Sequence, residues 1–154
     1  MKTRPCPFPF TVALCLALAL PSLLAFGAEK PDPKKMTPKG GRLLEKTTPA
    51  AEFVVEKDRS VTIHFYGPDM KPVSATTQSV TVQADAKDGK AKIEFEKKGD
   101  ALVSKTKLPD GEGYNLVVQF KQSADAKPQN FRLKLETHIC GGCNRAEYAC
   151  VCDH

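Results

Sequence analysis

Between Cys15 and Cys140 the chain has no cysteine, and it has no tryptophan anywhere. The long middle of the sequence therefore offers neither a disulfide framework nor a cage of thiolates. Histidine is scarce too, with only His64, His138 and His154. No Ser/His/Asp or Cys/His grouping stands at a spacing that suggests a nucleophile, and no pair of isolated carboxylates stands out, so the sequence does not read as an enzyme. Aromatic residues make up 7% of the chain. The 23 Lys and Arg are interleaved with the 18 Asp and Glu, as in Glu52, Glu56, Lys57, Asp58, Arg59 and again in Lys92, Glu94, Glu96, Lys97. Clustered cations with stacking aromatics, the footprint of nucleic-acid binding, are missing. The formal net charge of +5 thus reads as a solvated surface, with no nucleic-acid partner. No segment keeps a 3.6-residue apolar period, so no amphipathic helix is expected.

Long apolar runs are absent beyond the one from Phe10 to Phe26. Lys2 and Arg4 precede that run, and the small-x-small site Ala25-Phe26-Gly27 follows it, ahead of the charged Glu29-Lys30. This is the pattern of a cleaved secretory signal over residues 1–27, too short for a membrane span and without a basic stop-transfer flank. Cys6 and Cys15 leave with it, and the mature protein is expected to be periplasmic or secreted, with no membrane span. Residues 28–41 are rich in Lys, Pro and Gly and read as a flexible leader. Residues 42–139 then form one domain, and residues 140–154 a Cys-rich ending.

Period-2 alternation dominates the domain. Phe53 and Val55 alternate with Glu52 and Glu56, and Val61, Ile63 and Phe65 with Thr62 and His64. The same holds for Val80 and Val82, for Ile93 and Phe95, for Tyr114 to Phe120, and for Phe131, Leu133 and Leu135. Such strands put one face on a core and one in water. Turn residues punctuate them at Lys57-Asp58-Arg59, Gly67-Pro68-Asp69, Asp88-Gly89, Lys98-Gly99-Asp100 and Pro109-Asp110-Gly111. The expected fold is all-β, an antiparallel β-sandwich of immunoglobulin-like architecture with about seven or eight strands. In this reading Glu52 and His64 face solvent, and Met36 and Met70 are incidental rather than copper thioethers.

What the middle lacks, the end concentrates. Cys140-Gly141-Gly142-Cys143 is followed by Cys150-Val151-Cys152-Asp153-His154, a C-x2-C-x6-C-x-C-x-H array. The two glycines let the chain turn so that both sulfurs of C-x2-C face one point. Alternate residues of an extended C-x-C segment point the same way. Four thiolates, or three with the imidazole of His154, can thus close round Zn²⁺ or Cu⁺, and His138 offers a further nitrogen. Two disulfides are the competing chemistry, because exported thiols oxidise. A redox C-x2-C is a third reading, but such motifs open a helix in a βαβ setting rather than follow a strand. Tyr148 is expected to pack the tail on the domain, and Arg145 and Glu147 to keep it soluble.

The run Lys39-Gly40-Gly41-Arg42-Leu43-Leu44-Glu45, with Ala51 to Glu56 and Lys71-Pro72-Val73, resembles small exported bacterial β-sandwich proteins. Some of those accompany heavy-metal efflux or copper handling. The resemblance implies an envelope metal-handling role. Many such sequences carry histidine before Gly-Gly; here Lys39 stands there and removes a nitrogen ligand. The functional expectation is an exported small metal-binding protein using Cys140, Cys143, Cys150, Cys152 and His154, with an envelope protein as partner. The alternative is a metal-free envelope interaction module whose tail is stapled by two disulfides.

Overall fold

The computed structural model describes residues 32–152, so the signal segment, cleavage site and His154 lie outside the described residues. Nine strands follow one another: β1 (Arg42–Leu44), β2 (Ala50–Val55), β3 (Val61–Tyr66), β4 (Pro72–Val73), β5 (Ser79–Ala86), β6 (Gly89–Lys98), β7 (Ala101–Ser104), β8 (Asn115–Lys121) and β9 (Gln129–Lys134). All pairings are antiparallel, in the order β1-β2-β3-β7-β6-β5-β8-β9, with β4 added beside β3. No helix among the described residues is long and apolar enough to cross a membrane.

The ten-residue β6 explains the architecture. Its first half, to Glu94, pairs with β5, and its second half, from Phe95, pairs with β7. One strand thereby serves both halves of the sheet, and the hydrogen-bonded path is continuous. The ends of that path approach each other across a cleft of about 350 Å³ lined by Arg42 to Lys46 and Asn130 to Leu133. The sheet is nearly closed, like a barrel. The all-β antiparallel expectation is met, but the division into two sheets of an immunoglobulin-like sandwich is not visible in this pairing.

The alternating residues meet inside. Phe53, Ile63 and Phe65 from β2 and β3 join Val80, Val82 and Ala84 of β5, Ile93 of β6 and Leu116, Val118 and Phe120 of β8 in one cluster. Phe65 and Phe120 lie 6.4 Å apart between ring centroids. Each such side chain contributes about 1.5–3 kcal/mol relative to exposure, which is what drives the sheet to curl round a shared interior.

The alternation breaks on the outer side of β2 and β3, where Glu52, Thr62 and Tyr66 are all buried. Glu52, expected on the wet face of β2, is 0% exposed. Its carboxylate accepts hydrogen bonds from the backbone N–H of Lys39 at 3.1 and 3.2 Å, from Gly41 N–H at 2.7 Å, and from the Tyr66 hydroxyl at 2.6 Å. Residues 37–41, part of the expected flexible leader, lie over it as a lid. The lid needs its glycines. Gly40 has φ +80°, and a Cβ on Gly41 would run into the Phe53 carbonyl and sit 2.8 Å from Val54 Cγ2. Burial raises the Tyr66 hydroxyl well above its ordinary range, and the Glu52 hydrogen bond and charge push it further. Directly across from Glu52, His64 is half-buried rather than fully solvated.

Candidate metal centre

After β9 the chain stays extended and then folds back on itself. Tyr148 N–H donates to Glu136 O at 2.9 Å, Glu147 N–H to His138 O at 2.9 Å, and Cys140 N–H to Arg145 O at 2.7 Å. These bonds make a small hairpin whose tip is the C-x2-C segment. The tip closes through Asn144 N–H on Cys140 O at 3.0 Å, with Asn144 at φ 56°. Asparagine tolerates that left-handed conformation better than most residues. A single 3-10 turn, Glu147–Ala149, then redirects the backbone, and Cys150 N–H closes it on Glu147 O at 3.0 Å. Cys150 and Cys152 are delivered beneath the hairpin tip.

The result is a cluster of four sulfurs, from Cys140, Cys143, Cys150 and Cys152, all within 4.8 Å of one another. Cys150 Sγ lies 3.3 Å from Cys140 Sγ and 3.7 Å from Cys143 Sγ. Tetrahedral binding with metal–sulfur bonds of about 2.3 Å places sulfurs about 3.8 Å apart. A disulfide requires about 2.05 Å. The spacing is compatible with a shared metal ion. Cys140 and Cys150 are buried, whereas Cys143 and Cys152 are half-buried.

Local electrostatics divides the four thiols. Backbone hydrogen bonds from Cys143 and then Gly142 lower Cys140. Burial opposes ionisation of Cys143, but backbone hydrogen bonds from Val151 and Arg145 and the neighbouring thiols outweigh it and hold Cys143 at about 7. Burial drives Cys150 up to about 11 and, with the adjacent sulfurs, Cys152 up to about 12. Backbone donors thus favour the thiolate at Cys140 and Cys143, whereas burial disfavours it at Cys150 and Cys152. A cation at the centre would remove that asymmetry, because thiolates are the form that binds metal.

The tail is fastened to the sheet. Tyr148 is 8% exposed, stacks edge-on against Phe53 at 6.2 Å, and its hydroxyl accepts from Val55 N–H at 2.9 Å. Ala149 and Val151 are buried beside it. Arg42 Nη1 donates to Cys150 O at 3.0 Å, and Asp32 N–H to Val151 O at 3.0 Å. Arg145, expected only to keep the tail soluble, reaches into the lid instead. It donates to Thr37 O at 2.9 Å, Thr37 Oγ1 at 3.1 Å and Gly41 O at 3.4 Å.

Of the residues singled out in the sequence, the four tail cysteines converge and Tyr148 packs as expected. His138 does not join them: its exposed ring points toward Glu147, with Nε2 4.0 Å from Oε2. Met36 is exposed, and Met70 lines a separate, mostly apolar cleft of about 510 Å³ near Pro49 and Tyr66. The supporting roles of Arg42, Glu52 and Arg145 are not readable from spacing, because most of their partners are backbone atoms in other segments. Comparison with protein-family models, with curated proteins and with solved structures finds no match for this chain.

Proposed function

We propose that this is an exported metal-binding protein that holds one soft or borderline cation, Zn²⁺ first and Cu⁺ second, on Cys140, Cys143, Cys150 and Cys152. The observation that carries the reading is the approach of four sulfurs to within 4.8 Å of one another at the end of a separate β-body. Four thiolates round one point suit the tetrahedral preference of Zn²⁺, while Cu⁺ is also a soft-ligand ion. Backbone N–H groups aimed at the sulfurs disperse the excess negative charge of such a site.

The site serves binding rather than catalysis. The N-terminal signal pattern supports an envelope or extracellular location, and the likeness of the Lys39-Gly40-Gly41 region to exported proteins beside metal-efflux systems supports metal handling there. Half-buried Cys143 and Cys152 give an incoming ligand a side from which to approach. If the metal is lost in an oxidising compartment, the 3.3 Å approach of Cys140 and Cys150 makes them the first pair to oxidise, which is the route to the disulfide-stapled interaction module.

Cobalt substitution tests the reading. Reduced mature protein titrated with Co²⁺ is expected to develop thiolate charge-transfer absorption and tetrahedral d–d bands at about one equivalent, reversed by Zn²⁺. Absence of those bands, with the thiols confirmed reduced, would overturn it.

A further inference from the structure

We infer that metal occupancy of the tail controls a latch, holding residues 32–41 on the β-body when the metal is bound and releasing them when it leaves. The inference rests on the metal reading above. Three observations carry it.

First, the tail and the lid share bonds that neither makes with solvent. Arg145 sits between Cys143 and the 3-10 turn, and its guanidinium spans Thr37 and Gly41. Asp32 N–H adds a backbone bond to Val151 O, between Cys150 and Cys152. The segment from Asp32 to Gly41 is therefore tied at both ends to residues that the four sulfurs fix in place.

Second, the segment has little apolar contact of its own. Its 3-10 turn, Pro33–Lys35, contains no buried residue, and Met36 is 49% exposed. Thr37 is the one buried side chain, and it is the residue Arg145 grips. So small an apolar contact cannot offset the conformational entropy of ordering ten residues.

Third, the lid covers a charge. Glu52 is 0% exposed, and two lid N–H groups donate to it, that of Lys39 shared between both carboxylate oxygens and that of Gly41. If the lid lifts, only the Tyr66 bond remains and water takes the place of the lid. Water can then take over the bonds that Lys39 and Gly41 make to the carboxylate, so lifting the lid leaves no buried charge unpaired.

The tail lacks the means to hold the latch without metal. Its own buried apolar groups are Tyr148, Ala149 and Val151, and the hairpin tip of Cys140 to Asn144 offers exposed glycines and two of the four convergent thiols. Metal binding at such a unit is folding free energy for it.

The test is per-residue amide hydrogen exchange on the reduced mature protein, loaded with Zn²⁺ or Co²⁺ and then stripped with a chelator. Protection at Lys39 and Gly41 is expected to fall at least about 10-fold on stripping, while Val82 and Val118 in the sheet keep theirs. Arg145→Gln loaded with Co²⁺ is expected to lose lid protection while the cobalt–thiolate absorption persists. Unchanged protection at Lys39 and Gly41 after the metal has left would overturn the latch and leave the metal site standing. So would full protection in cobalt-loaded Arg145→Gln. Failure to take up either metal would remove the metal reading and the latch with it.

Discussion

The β-body and the tail hold themselves together by opposite means. The body buries a connected set of large side chains, among them Phe53, Phe65, Phe120, Ile63, Ile93 and Leu116, and β5 and β8 alternate cleanly toward that interior. The tail has almost no interior of its own. Its shape comes from three hairpin hydrogen bonds, one 3-10 turn and four sulfurs that share a centre. The lesson is that the body is built on hydrophobic burial, whereas under the proposed metal reading the order of the tail rests on an ion. Metal chemistry and fold stability can therefore be perturbed separately, apart from the seam where Arg145 and Tyr148 join the two.

The sharpest way to break the comparison is to remove a buried sulfur. Cys150→Ser, near the centre of the cluster, is expected to weaken metal binding at least about 100-fold, read by competition with a chromophoric chelator. Far-UV circular dichroism and the thermal midpoint of the body are expected to change little. Collapse of the sheet in Cys150→Ser would show that the regions are not independent.

Acidity should act on the tail in the same selective way. Cys150 and Cys152, held at about 11 and about 12, are protonated at neutral pH, so a bound cation must displace both protons. Affinity therefore rises with pH and falls as pH drops, by roughly 100-fold per unit from these two groups. Competition titrations at pH 6, 7 and 8 check the slope. A pH-independent affinity would mean that Cys150 and Cys152 do not bind as thiolates.

On the body side, the largest single effect is expected at Glu52. Glu52→Gln places an NH2 donor among lid N–H groups that need an acceptor, at a cost of about 2–3 kcal/mol in urea unfolding. Zn²⁺ affinity is expected to change far less than in Cys150→Ser. A stability change near zero would show that the carboxylate is not a fixed part of the body.

At the seam, Tyr148→Phe removes the hydroxyl that accepts from Val55 N–H while keeping the ring on Phe53. The expected loss is about 1 kcal/mol, with metal still bound. Smallest of all, Lys92→Ala breaks an exposed ion pair to Glu94 and is expected to leave the thermal midpoint unchanged within error.

Much of this was legible in the sequence where a physical period was present. The alternation of Val61, Ile63 and Phe65, of Val80 and Val82, and of Leu116, Val118 and Phe120 marks β3, β5 and β8 because one face is apolar and the other is not. β1, β4 and β7 escaped because Arg42–Leu44, Pro72–Val73 and Ala101–Ser104 are too short to show a period. The continuity of the sheet escaped because nothing in the alternation of β6 says that its two halves pair with different strands. Glu52 was misassigned for a similar reason: alternation says which residues share a face, not whether another segment covers that face. The four tail cysteines were visible from their spacing alone. The Arg145 clamp was not, since two of its three acceptors are carbonyls that any residue carries and all lie more than a hundred residues away.

The most direct measurement is elemental mass spectrometry combined with thiol counting on mature protein purified from its native compartment without reductant. The account predicts about one zinc or copper ion per chain, with four thiols that become reactive once a chelator is added. No metal and no titratable thiol, before or after chelation, would contradict it and leave two disulfides in place of the site.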